Sequence, residues 1–319
     1  MSVIIGVDVG GSHVTSALFH GEAIVRRAGT SFSHGSHGAS IVQVILDAVQ
    51  AVSATEARMA ARVPVGVGMP GIVTGDGTVL LAPNLGIRNL ALNDALLREG
   101  LRAHVVNDAN AAALAEWYSG AGRGRGSLIC VTVGTGIGGG VIIDDRLVSG
   151  SAGRGGEIGH LTVAPGGPLC SCGSRGCLEA VSSGSAIARQ GQEAAHAGDP
   201  CLNDVCAERP GMIDAQMVFE AARRGSARAR QIVERAGRYL GQALAGVVCT
   251  VDPEVIIIGG GVAMAGDDFI EPVRHALEQS SLYRLRRTPV VRAYHATDAG
   301  VIGAAVHAAI AERVLREVR

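Results

Sequence analysis

Over the first thirty positions, apolar residues come in short alternating runs rather than at the three- and four-residue spacing of a helix. Ile4-Ile5-Gly6-Val7-Asp8-Val9 is an apolar strand and Gly10-Gly11-Ser12 a glycine-rich turn. The pattern continues through Ala17-Leu18-Phe19-His20-Gly21 to Ile24 as a second strand, a polar turn and a third strand. The same order recurs 124 residues later. There Leu128-Ile129-Cys130-Val131-Thr132-Val133 leads into Gly134-Thr135-Gly136, then through Val141-Ile142-Ile143-Asp144-Asp145 to Val148. Such an echo predicts a duplicated domain, each half opening with a β-meander and carrying one glycine-rich hairpin.

Between and after these meanders the period changes. Ile41–Val52 and Leu92–Glu99 have helical spacing, and Val63–Val67 and Ala103–Val106 read as strands. The alanine-rich run Ala109–Tyr118 predicts a helix with Asp108 as its N-cap. From Ala186 to Val251 the pattern is mostly helical, and Val255–Ile258 is a buried strand ending in Gly259-Gly260-Gly261 before a further helix. The stretch Thr74–Asn89 reads as loop, Ser33–Gly38 as a loop whose His34 and His37 are metal candidates by residue type alone, and Gly122–Gly126 as a link near a hinge. Alternating helices and strands of this kind make an α/β protein with mixed sheets.

At 319 residues the chain is long for one core, which favours two domains. A net charge of -1 with 18% charged residues gives no electrostatic reason to expect nucleic acid as a partner. No apolar run is long enough to span a bilayer, and the first residues lack a signal-peptide pattern, so no membrane partner is expected. Seven cysteines, an odd number and partly clustered, suit a reducing cytoplasm. Every one of the 28 basic residues is arginine. The absence of lysine excludes a Walker-A lysine, a Schiff base and a kinase-type strand lysine. Any phosphate must therefore be held by backbone N–H groups, metal ions and helix ends.

His160, Cys170, Cys172 and Cys177 are spaced H-x9-C-x-C-x4-C, and three thiolates with one imidazole complete a tetrahedral set for a structural Zn²⁺. Glu157 and Glu179 bracket this segment. Gly134-Thr135-Gly136-Ile137-Gly138-Gly139-Gly140 contains a formal G-x-G-x-x-G, but a strand follows where a dinucleotide fold needs a helix. Its bare amides, with the Thr135 hydroxyl, suit phosphate oxygens. Asp8 ends an apolar run, where a carboxylate is costly unless it meets a cation or donors; Mg²⁺ through water is one partner, an Asx-turn the other. Gly259-Gly260-Gly261 suits close approach of a flat adenine, or a simple turn.

The Gly-Glu-x-Gly-His element running into Cys-x-Cys-Gly-x-x-Gly-Cys-x-Glu resembles the signature of the ROK family (repressors, open reading frames, sugar kinases). The likeness spans almost the whole chain, through Gly6–Ser12, Gly68-Met69-Pro70-Gly71, Pro83-Asn84-Leu85, Asn107-Asp108-Ala109-Asn110, Gly134–Gly140 and Gly259–Gly261. It implies a duplicated actin-like (ribonuclease H-like) ATPase/sugar-kinase fold of two lobes with a cleft between them. The expected N-terminal lobe is 1–108, with helix 303–319 packing back on it, and the C-terminal lobe is 109–302 with the zinc loop. The resemblance also implies ATP-dependent phosphorylation of a hexose at its 6-hydroxyl, glucose to glucose 6-phosphate, with Asp108 as general base. The sugar would meet Asn84, Asn107, Asp108, Glu157, His160, Glu179 and the Gly71 backbone. ATP and Mg²⁺ would meet Asp8, Gly10, Gly11, Ser12, Gly134, Thr135, Gly136, Gly138, Gly259, Gly260 and Gly261. A homodimer or homotetramer is the expected assembly. The alternative acceptors are N-acetylmannosamine, N-acetylglucosamine, kanosamine or a cyclitol. A sugar-sensing regulator is the alternative class, and it would carry a DNA-binding domain before the strand that begins here near residue 3. One departure stands out: where the family usually has lysine after Gly-Gly-Thr, this chain has Ser12 and His13.

Overall fold

A computed structural model describes residues 3–32, 38–53, 63–209 and 211–317. His34 and His37 lie outside them. The chain forms two compact units: residues 1–124, 140–156 and 295–319 make the first, and 125–139 with 157–294 the second.

The first unit opens with the antiparallel meander β1 (Val3–Val9), β2 (His13–His20) and β3 (Ala23–Ser31). Beyond β1 lie two parallel strands, β4 (Val65–Met69) and β8 (Ala103–Asn107), giving the order β3-β2-β1-β4-β8. Strand β4 is buried along its whole length, as a central parallel strand must be. Strand β3 is an exposed edge carrying Arg26 and Arg27, charges that discourage further pairing. Helices α1 (Gly38–Ser53), α2 (Leu92–Arg98) and α3 (Asp108–Ser119) belong to this unit. The expected loop at 74–89 is instead largely a three-stranded antiparallel sheet, β5 (Ile72–Val73), β6 (Thr78–Ala82) and β7 (Ile87–Ala91). Its hairpin turn is closed by Thr74 and Asp76: Gly77 N donates to the Thr74 carbonyl at 2.9 Å and Thr78 N to Asp76 Oδ1 at 3.1 Å. Asn84 sits beyond it, exposed, in a 3₁₀ turn over Pro83–Leu85 that Leu85 anchors in the core.

The second meander, β9 (Leu128–Val133), β10 (Ile137–Ile143) and β11 (Arg146–Leu147), belongs to a sheet of order β11-β10-β9-β12-β13, with β12 at Val255–Gly259 and β13 at Val290–Arg292. This order matches β3-β2-β1-β4-β8 strand for strand, so the echo in the sequence is a duplicated sheet topology. The second unit adds α4 (Leu178–Ser182), α5 (Gly184–His196), α6 (Pro200–Glu208), α7 (Ala215–Arg223), α8 (Ala227–Val251), α9 (Asp267–Glu278) and α10 (Ser281–Leu285). Helices α5 through α8 each begin on a Ser or Asp whose side chain accepts a first-turn N–H, which is why the long helical stretch breaks where it does.

The final helix, α11 (Ala299–Glu317), returns to the first unit and starts four residues earlier than the expected 303. It lies against α3, β1 and β4 at backbone contact. A Cβ on Gly6 would fall 2.0 Å from the Val301 carbonyl oxygen, one on Gly66 1.8 Å from that of Ala304, and one on Gly303 1.6 Å from that of Ala111. Only glycine fits at these three crossings. No described helix is long and apolar enough to cross a membrane.

Candidate functional site

Asp8 lies between the buried Val7 and Val9 at the end of β1, and its carboxyl is cradled by two glycines. Gly68 closes one side; Gly300, in the first turn of α11, closes the other, where a Cβ would stand 2.2 Å from the carboxyl carbon. Burial raises the Asp8 pKa above the usual carboxylate range, with His13 pulling the other way. The early start of α11 is what brings Gly300 here, and no local pattern at 295–300 announces it. The turn after β1 closes by Gly10 N donating to the His13 carbonyl at 2.8 Å. The His13 ring lies over Gly10, where a Cβ would meet it at 2.7 Å. Ser12 is exposed beside it.

At the end of β8 the chain turns into α3, and here the structure corrects one expectation. The N-cap is Asn107, not Asp108: Asn107 Oδ1 accepts from Asn110 N at 2.9 Å. The other half of the same carboxamide donates to the Gly71 carbonyl at 2.9 Å and to Asp108 Oδ1 at 3.1 Å. Ala109 N adds a further bond to Oδ1 at 2.8 Å. The extended backbone of Asn107, φ -61° and ψ 144°, suits a cap, whereas Asp108 is already helical. Asn107 therefore takes over the capping duty, and Asp108 is left exposed at the first helical position with one oxygen oriented by two donors. Gly71 presents its carbonyl from φ +97°, a position where a Cβ would collide with the Leu81 carbonyl at 2.0 Å.

In the second unit the two glycine stretches meet at the ends of β9 and β12. The register pairs Gly259 with Thr132, and Gly260, at φ +84°, lies so close to Val133 that a Cβ would sit 2.4 Å from its carbonyl oxygen. The Gly134 turn is tight, with Gly134 N donating to the Gly136 carbonyl at 2.9 Å, and it leaves Thr135 exposed. A Cβ at Gly134 or Gly261 would meet nothing, so these two are not forced by packing. Gly136 differs: a Cβ there would lie 2.4 Å from Glu179 Oε2.

His160, Cys170, Cys172 and Cys177 come together with all ligand atoms within 4.8 Å. Cys172 Sγ and Cys177 Sγ are 3.7 Å apart, as are Cys170 Sγ and His160 Nδ1. Metal–sulfur bonds of about 2.3 Å and metal–nitrogen bonds of about 2.05 Å at tetrahedral angles require about 3.8 and 3.6 Å for these separations. These two separations match those around one zinc-sized ion. The Ser174 backbone holds the Cys172 thiol down to about 7, while burial pushes Cys177 up to about 12. A cation among them would supply the charge that clustered thiolates need. The other ring nitrogen of His160, Nε2, lies 3.8 Å from Glu157 Oε2. Burial raises the Glu157 pKa, against His160 and assisted by Glu179.

Two buried carboxylates outside the motifs shape the surroundings. Glu116 of α3 is fully buried and accepts from His295 N at 2.7 Å and Ala121 N at 2.8 Å. With the Arg27–Asp298 ion pair at 2.7 Å, it pins the segment that delivers Gly300 to Asp8. Glu312 of α11 is 2.9 Å from His104 on β8. A mid-helix glutamate reads as a solvated face, so neither has a signal in the sequence.

The chain matches the ROK family over residues 4–310. It is 37% identical over 305 residues to a glucokinase of Halalkalibacterium halodurans, covering 94% of this chain and 92% of that one. It is 36% identical over 313 residues to a glucokinase of Thermotoga maritima, covering 95% and 96%. A crystal structure of a ROK family glucokinase from Streptomyces griseus, in complex with glucose and AMPPNP, superposes with a TM-score of 0.83 at 34% identity, covering 95% of this chain and 98% of that one. These likenesses run the length of the chain and share its duplicated two-sheet, actin-like topology, and by them it belongs to the ROK family.

Proposed function

We propose that this protein transfers the γ-phosphoryl group of ATP to the 6-hydroxyl of glucose, giving glucose 6-phosphate and ADP. The hydroxyl oxygen attacks the γ-phosphorus, the bond to the β-phosphate oxygen breaks, and the hydroxyl proton passes to Asp108. The observation that carries this reading is the division of labour at β8–α3. Asn107 caps the helix and orients one Asp108 oxygen, so the carboxylate is held at an exposed helix start for proton abstraction. Phosphoryl transfer asks the protein for positioning and charge stabilisation rather than covalent chemistry. The glucokinase names of the relatives, and the glucose and AMPPNP bound by the Streptomyces griseus protein, support the substrate pair.

Sugar hydroxyls both donate and accept, which suits carboxylates, carboxamides and an imidazole together. On that chemistry and the family resemblance, Gly71, Asn84, Asn107, Asp108, Glu157, His160 and Glu179 are assigned to the sugar. Asp8, Gly10, Gly11, Ser12, Gly134, Thr135, Gly136, Gly138 and Gly259 to Gly261 are assigned to Mg²⁺ and nucleotide. When bound, Mg²⁺ neutralises phosphate charge, and the Asp8 cradle offers it a carboxylate otherwise costly to bury. Zn²⁺ is assigned to His160 Nδ1 and the sulfurs of Cys170, Cys172 and Cys177, where it supplies a closed structural centre. A cytoplasmic homodimer or homotetramer completes the proposal.

The test is a coupled ADP-release screen over hexoses, hexosamines and cyclitols. Glucose should give the highest kcat/KM. A higher value for an N-acetylated sugar or a cyclitol replaces the acceptor and leaves the kinase chemistry standing; no ADP release with any of them overturns the function.

A further inference from the structure

Glu179 ties the Cys/His cluster to the glycine turn after β9. A carboxylate accepts only and has room for several donors, so one side chain can hold two structures at once. Glu179 Oε2 accepts from Ile137 N at 3.0 Å, the amide that opens β10. Its Oε1 accepts from Ser171 Oγ at 3.0 Å and lies 3.8 Å from Cys170 Sγ. Ser171 stands between two of the clustered cysteines, and Glu179 follows Cys177 by two residues, so the carboxylate is anchored to the cluster through both chain and hydrogen bond. The turn reaches it only because residue 136 is glycine.

Two more fastenings run the same way. Gly184 N donates to the Gly134 carbonyl at 2.7 Å, and Gly159, next to His160, sits where a Cβ would fall 2.1 Å from the Ile137 carbonyl oxygen. The Gly134–Ile137 turn thus borrows its shape from the segment around the cluster.

We propose that Glu179 is a positioning residue through which occupancy of the Cys/His cluster sets the geometry of the Gly134–Ile137 turn, and with it the affinity for nucleotide. This rests on the assignment of that turn to phosphate. It makes the metal a determinant of nucleotide binding even without sugar, and it gives Glu179 a duty separate from any sugar contact.

The experiment measures the Kd of a non-hydrolysable ATP analogue with Mg²⁺, without sugar, and hydrogen exchange across residues 134–137. The samples are zinc-loaded wild type, Glu179→Gln, Glu179→Ala and Ser171→Ala, together with wild type and Glu179→Ala stripped of metal. Zinc content and Tm establish that each loaded variant is folded. Losing a hydrogen bond to a charged acceptor should raise Kd about tenfold in loaded Glu179→Ala and speed exchange at Ile137. Gln should restore most of the affinity, its oxygen accepting from Ile137 N while its amide donates to Ser171 Oγ. Ser171→Ala, at a residue not itself assigned to the sugar, should show a smaller loss in the same direction. Metal removal and Glu179→Ala should be non-additive, because both act through one link. Fully additive losses, or unchanged Ile137 exchange in loaded Glu179→Ala, overturn the proposal. Faster exchange with unchanged nucleotide affinity overturns instead the assignment of the turn to phosphate.

Discussion

Asp108→Asn separates catalysis from folding because of how the side chain is held. Ala109 N at 2.8 Å and Asn107 Nδ2 at 3.1 Å address Oδ1, and an amide oxygen accepts from these donors too. The helix cap is untouched, since it belongs to Asn107. What folding loses is a negative charge in the first turn of α3, worth about 0.3–1 kcal/mol. What catalysis loses is the carboxylate's capacity to take a proton. Removing a general base typically costs about 10²–10⁴-fold, or about 2.7–5.5 kcal/mol in the barrier. The two ranges do not overlap, so a coupled ADP-release assay for kcat, run beside a thermal melt, distinguishes them. We expect kcat to fall by about that factor, sugar KM to change little, and Tm to drop by no more than a few degrees. Asn107→Ala is the contrasting variant, losing the cap at about 1 kcal/mol and releasing both Gly71 and Asp108. Near-normal turnover in folded, zinc-loaded Asp108→Asn would refute the base assignment.

Asp8→Asn should stabilise the metal-free protein at neutral pH, by about 0.5–2 kcal/mol, while weakening Mg²⁺-nucleotide binding. The sign follows from the raised pKa: folding favours the protonated acid, so stability falls as pH rises from the unfolded value of 3.8 and the penalty is complete above the folded value. Melts at several pH values, with and without Mg²⁺-nucleotide, check it, and a variant less stable than wild type at pH 7 contradicts it. Glu116→Ala leaves His295 N and Ala121 N without their charged acceptor. At about 1.5–3 kcal/mol per bond, urea denaturation should register a loss of about 3–6 kcal/mol. Gly303→Ala drives a methyl into the Ala111 carbonyl and should cost at least about 1–3 kcal/mol, with kcat falling as α11 shifts from α3. Gly246→Ala, on an open face of α8, should instead add about 1 kcal/mol, and equal effects on Tm from these two substitutions would discredit the packing argument.

The sequence was informative wherever a feature is set by neighbours a few residues away. The two meanders were legible because alternation and glycine placement are local, and their identical sheet orders bear out the duplication. The Cys/His cluster was legible because ligand spacing is local too. The small sheet at 72–91 was missed because its strands are short and its Thr74–Asp76 turn resembles ordinary loop composition. The cap at α3 went to the wrong residue because Asn107 and Asp108 are both good caps. Asn107 also bonds the Gly71 carbonyl, and that partner, 36 residues earlier, favours it as the cap. A glycine can also have a second reason that lies far away in the chain. Gly136 reads as a bare amide for phosphate, and in the structure its missing Cβ also makes room for Glu179.

Asp8 shows the same division at the level of energy. Its place after an apolar run marks it as a costly carboxylate, but the wall that makes it costly is Gly300, almost three hundred residues later in the chain. That wall exists because Gly6, Gly66 and Gly303 let α11 approach β1, β4 and α3 at backbone distance, and because Glu116 and Arg27 hold the segment before it. The first unit therefore cannot complete the environment of its earliest acidic residue until its last helix has docked. The raised pKa that results favours the protonated acid at low pH. On the proposed assignment a divalent cation would have to displace that proton, so its binding at Asp8 should release protons and strengthen as pH rises through the raised value. The packing that destabilises the ionised carboxylate is thus the same packing that would favour a cation there, which is why weakened binding and increased stability are expected together in Asp8→Asn.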